Sequence, residues 1–149
     1  MKQINFDSGI REYKINDNGV LRFNPGDPNV YARFTEASEK IQEIERTMVA
    51  QAEQIDKNDG AAVLRLLADA DVKMKDVLNW VFGKGNDFNE IMEGVNLMAV
   101  ATNGERVITN LLNGLLPIIQ KGAEECAKQQ IGDAVAQAER NRAQRGAQK

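Results

Sequence analysis

The chain has 149 residues, 42% hydrophobic and 28% charged, with a formal net charge of −3, an ordinary composition for one globular domain with a modest core. A mildly acidic balance argues against general nucleic-acid binding. With no histidine and a single cysteine, Ser-His-Asp and Cys-His centres, His-containing zinc sites, thiolate metal clusters and an intramolecular disulfide are excluded.

In chain order, the first readable elements are β. Glu12–Ile15 and Val20–Phe23 alternate in polarity around Asn16-Asp17-Asn18-Gly19, and Asn-Gly is a strong hairpin signal because both residues tolerate positive φ. Gln3–Phe6 is expected as a third strand, broken by Asp7-Ser8-Gly9. A lone hairpin is marginal in water, so it must lean on helices or on another subunit.

Asn24-Pro25-Gly26-Asp27-Pro28 turns the chain, with Asp27 as a helix cap and Pro28 at the first helical position. The spacing of Val30, Tyr31, Phe34, Ala37, Ile41, Ile44, Met48, Ala52 and Ile55 predicts a helix over 28–56. Asn58-Asp59-Gly60 stops it and caps a second helix over 61–82, striped by Val63, Leu67, Ala70, Met74, Val77 and Val81. Tyr31 and Trp80 belong to these seams and are expected to be buried. Arg65 with Asp69 and Asp71 with Lys75 are expected on the exposed face of the second helix.

Gly83-Lys84-Gly85-Asn86 breaks the pattern, and Asp87 with Glu90 has capping-box spacing for a short third helix ending near Gly94. From Asn96 onward helical periodicity returns, either as one helix through Gly104 or as two with a restart at Thr102. Pro117 should kink the helix that contains it. Beyond Gln137 the apolar stripe fades into Arg140, Arg142, Arg145 and Lys149, which predicts a basic, flexible tail.

Few residues suggest chemistry. Asp56–Gly60 resembles a calcium loop only superficially: Ala61 stands where the turn glycine belongs and Leu67 where the bidentate glutamate belongs. Gly83-Lys84-Gly85 lacks the spacing of a phosphate loop. Glu124 and Glu125 are adjacent and diverge on a helix, and Cys126 reads as a small apolar residue. Met48, Met74, Met92 and Met98 favour core filling over an adaptable groove. The segment Val107–Ile119 is apolar over a wide arc, so it is either central in its own bundle or covered by another chain. Its residues Ile108, Leu111, Leu112, Leu115, Leu116 and Ile119 form the candidate partner-binding face.

Four segments, INFDSGIREYKI, LRFNPGDPNVYARF, FGKGNDFNEIMEG and NGERVITNLLNGLLPIIQKG, together spanning roughly Ile4 to Gly122, carry a resemblance. The chain resembles small proteins of the tail module of phages and prophages of Gram-positive bacteria, usually considered tail assembly chaperones. That resemblance implies a non-enzymatic role without cofactor or metal: binding the long, aggregation-prone tape measure protein and keeping it soluble in the host cytoplasm while the tail tube forms. It makes the tape measure protein the expected partner, the tail tube protein a further candidate, and a frameshifted longer form a family trait. A second copy is a further candidate partner, one that the hairpin could lean on. Nucleic acid and membrane are not expected partners. The rival expectations are a structural tail or head-tail connector protein and a small phage protein binding one host target.

The expected fold is mainly α: a helical bundle of three to five helices with a small N-terminal β-hairpin. Residues 1–26 form the hairpin segment, 27–136 the helical domain and 137–149 the tail.

Overall fold

A computed structural model describes residues 1–147. The fold is mainly helical with an N-terminal hairpin. Strands β1 (Arg11–Ile15) and β2 (Gly19–Phe23) are followed by α1 (Pro28–Glu53), α2 (Gly60–Phe82), the single turn α3 (Phe88–Ile91) and the long α4 (Val107–Ala147). Asp27 and Asp59 cap α1 and α2 through their carboxylates, accepting from the N–H groups of Asn29 and Ala62. The loop between them is therefore a helix boundary, and α1 ends three residues earlier than its stripe suggests.

The two stripes meet. α1 and α2 pack antiparallel, with the Arg33 Nε donating to the Val81 carbonyl at one end and Ile44 and Met48 beside Leu66 and Ala70 towards the other. Phe34, Ala37, Ile41 and Met48 of α1 are buried with Ala70, Met74, Leu78 and Val81 of α2. The hairpin lies across one end of this pair. Its inner face carries Leu21 and Phe23 into the core, and Phe23 stacks between Tyr13 and Phe82, with ring centroids 5.0 and 4.9 Å away.

Tyr31 and Trp80 are exposed, not seam anchors. Both flank the stripe, and the smaller Val30 and Val81 take the inward positions instead. Trp80 is covered from outside by the Lys40 ammonium, 3.9 Å from its ring centroid. All four methionines considered, Met48, Met74, Met92 and Met98, are buried core residues.

The largest departure from expectation lies between Asn96 and Arg106, where neither one helix nor two forms. The segment is a sequence of turns with a bridge between Val100 and Arg106 and a left-handed Gly104 at φ 83. Polar tertiary partners outcompete the periodicity. The Asp71 carboxylate accepts from the Leu97 N–H at 2.7 Å, Asn96 donates to the Leu67 carbonyl while its own oxygen accepts from Met98 N–H, and Arg106 donates to the Met98 carbonyl. The first N–H groups of α4 are satisfied by this loop, Val107 bonding to Ala99 and Ile108 to Leu97.

Asp71 and Lys75 therefore do not decorate an exposed face. They form a 2.9 Å ion pair with side-chain exposures of 13% and 5%, completed by the Lys75 ammonium donating to Asn89 at 2.9 Å. This network ties α2 to α3 and to the loop before α4.

α4 runs antiparallel to α1, starting near the C-terminal end of α1 and passing the turn that precedes it. At that crossing Gly122 lies against Pro25, where a Cβ would overlap the Pro25 carbonyl. Pro117 sits inside α4 without ending it. The helix also continues through the residues expected to be flexible, to Ala147. Lys149, the last residue of the expected tail, lies outside the described residues.

Candidate functional site

The hairpin decides which surfaces remain open. Its connection is Asn16-Asp17-Asn18, with the positive φ on Asn16 (52°), so Asn18-Gly19 is not the turn centre that the dipeptide suggests. Gly19 opens β2 and is required for a different reason: a Cβ there would overlap the Ile91 carbonyl. The register pairs Arg11 with Phe23, Tyr13 with Leu21 and Ile15 with Gly19.

The two edges of this sheet differ. Asn86, buried in the connection between α2 and α3, covers the outer edge of β2. It accepts from the Arg22 N–H at 2.9 Å and donates to the Arg22 carbonyl at 2.8 Å, much as a neighbouring strand would. Since Arg22 turns its backbone groups outward, Arg22 and Glu12 are a non-hydrogen-bonded pair, and Glu12 and Lys14 turn theirs outward from β1. Among the described residues, nothing pairs with that edge of β1.

A groove of about 530 Å³ opens beside it. Tyr13 and Ile15 form one wall, Ile91 and Met92 the floor, and Leu111, Leu115 and Ile118 of α4 the far wall. Gly114 leaves the α4 side uncrowded.

The candidate face divides between interior and surface. Ile108, Leu115 and Ile119 are buried in the protein's own core, and Leu111 and Leu112 are half-buried against it. Of the six, Leu111 and Leu115 reach the groove. Leu116 points away from it and is exposed. The wide apolar arc of α4 thus serves mainly as core, since the helix packs between α1 and the hairpin-side loop.

Two further open surfaces complete the site. Beyond Gly122, α4 leaves the body: from Glu124 onward every residue through Gly146 is exposed except the half-buried Cys126 and Ala138. These roughly 20 residues extend about 30 Å. They display Ile131 (65% exposed) and Val135 (52%) one turn apart. The N-terminal residues 1–10, expected to supply a third strand, are an exposed arm with no assigned secondary structure, carrying Ile4 at 86% and Phe6 at 80% exposure.

Among the described residues, no group of three or more His, Cys, Asp and Glu is placed to hold a metal ion. No described helix is long and apolar enough to cross a membrane. No protein family, curated protein or solved structure matches this chain.

Proposed function

We propose that this chain is a non-catalytic phage tail assembly chaperone whose client is the helix-rich tape measure protein, bound in the cytoplasm of the host. The observation that carries this reading is the second half of α4, a helix extending about 30 Å beyond the body with Ile131 and Val135 uncovered. An isolated helix of this length is marginal in water, and most helical stability in proteins comes from a packed apolar face. A projecting amphipathic helix is suited to pairing with helices of varied sequence, and Ala127, Ala134 and Ala138 keep the seam slim enough for close approach. Many copies along one extended client would let weak single contacts sum. The resemblance in sequence to tail-module proteins supports the tape measure protein as the client.

Co-expression with the tape measure protein of the same phage tests this. The intact chain is expected to keep the client soluble and to co-purify with it. Ile131→Asp with Val135→Asp is expected to abolish both while leaving the chain's own melting temperature within about 2 °C, because both positions are exposed. Equal client solubility with the double variant would refute the reading. The free edge of β1 favours a second reading, a structural tail component joined by strand addition. Mass spectrometry of mature particles separates the two, since a structural component is abundant there and a chaperone is not.

A further inference from the structure

The open edge of β1, the groove beside it and the N-terminal arm are complementary surfaces of the same chain. We propose that two copies exchange their N-terminal arms, each arm adding as an antiparallel strand to the partner's β1 and seating Ile4 and Phe6 in the partner's groove.

The arm has the pattern of a strand covered on one face. Ile4 and Phe6 alternate with Gln3, Asn5 and Asp7, so the apolar pair shares one face and the polar residues the other. The acceptor matches it. Glu12 and Lys14 offer outward backbone groups, whereas Asn86 has already taken those of Arg22 on the opposite edge. The inner face of β1, with Tyr13 and Ile15, continues into the apolar groove.

One antiparallel register satisfies these demands together. It sets Phe6 beside the partner's Tyr13, Ile4 beside the partner's Ile15, and Asn5 opposite the partner's Lys14, whose backbone is free to bond. The same register brings Lys2 to the acidic tip of the partner's hairpin. There Asp17 lies in the loop, and Glu93 is held against Asn18 by a 2.9 Å hydrogen bond. Asp7 then approaches the partner's Glu12, whose charge is already offset by Arg22 at 3.4 Å.

The arm does not serve its own β1. The Asn24 side chain donates to the Ser8 carbonyl, and Gly9, at φ 76, packs against the same side chain. The root of the arm is thereby held on the β2 side, away from the groove. The arm of a second copy is tethered to its own Asn24, so this tether does not keep it from the groove of its partner. Because arm and acceptor strand are consecutive, a two-fold axis near Gly9 and Ile10 lets both arms be exchanged at once, giving a closed isologous dimer.

Light scattering on the full chain across a dilution series, without any client, tests the proposal. The expected result is a dimer that Phe6→Asp with Ile4→Asp converts to monomer, with helical circular dichroism unchanged and a melting temperature that no longer depends on protein concentration. A mixture of Asn5→Cys and Lys14→Cys chains, each also carrying Cys126→Ser, is expected to oxidise to a disulfide-linked heterodimer. Both engineered positions are exposed, and paired residues across such a ladder lie within disulfide reach. A monomer at every concentration, a dimer indifferent to the Phe6 and Ile4 substitutions, or failure of the two cysteines to join would each overturn arm exchange. None of these outcomes bears on client binding, which is read separately through α4.

Discussion

Gly122 shows how a single missing side chain sets the position of the longest helix. Its Cα hydrogens are the only groups that fit between α4 and the Pro25 carbonyl, so the backbones meet there without an intervening side chain. Gly122→Ala is expected to destabilise the fold by about 1–3 kcal/mol, the usual cost of overpacking, as measured by urea denaturation. Gly114→Ala on the same helix meets nothing within 4 Å, and is expected to be neutral or mildly stabilising on helix propensity. At the other end of the core, Asp71 is the acceptor for both Lys75 and the Leu97 N–H. Asp71→Ala leaves a buried ammonium and a buried donor with one partner fewer each. It is expected to cost about 3–5 kcal/mol, visible as a large drop in thermal midpoint.

Among the elements, α4 combines two roles. Its first part is core, with Ile108, Leu115 and Ile119 buried. Its second part leaves the body altogether. Pro117 lies within the first part, on an exposed position just before the buried Ile119, removing one backbone donor from the ladder where the helix still has the body to support it. Pro117→Ala is expected to stabilise the protein, by up to about 3 kcal/mol on propensity, and to raise its melting temperature. An unchanged or lower midpoint would show that the body, not the helix ladder, determines stability there. The hairpin is the other element with a divided character, since its β2 edge is covered by Asn86 while its β1 edge is open.

For the whole molecule, stability should grade with distance from the α1–α2 seam. Buried apolar contacts concentrate on α1, α2, α3 and the start of α4, and are missing beyond Cys126 among the described residues. Amide hydrogen exchange is therefore expected to protect Phe34–Met48 and Ala70–Val81 at the global unfolding free energy. The amides beyond Ala127 are expected to exchange orders of magnitude faster unless a partner covers them. Added client that slows exchange selectively at 127–146 would map the binding surface on α4. Protection confined to residues 3–7 and β1 would instead map the arm exchange.

The apolar periods of α1 and α2, the caps Asp27, Asp59 and Asp87 and the alternating strands of the hairpin were legible in the chain alone. These features are local, and capping or period depends on neighbours within a few residues. Composition alone likewise rules out the histidine- and thiolate-based chemistries. What the chain alone left open was which side of each periodic element meets another. Trp80 and Tyr31 flank a stripe whose inward positions go to smaller neighbours, and Asp71–Lys75 has the spacing of a surface pair but lies beneath the 86–98 segment. The Asn96–Arg106 segment keeps a helical rhythm yet is bent into turns by Asp71, Asn96 and Arg106. Those outcomes rest on contacts between residues far apart in sequence, where a buried polar group must find its partner or forfeit its hydration. Only the packed arrangement supplies that partner. The tertiary structure likewise decided that most of the wide apolar arc of α4 is core, and that the open surfaces are the β1 edge, its groove, the arm and the projecting helix.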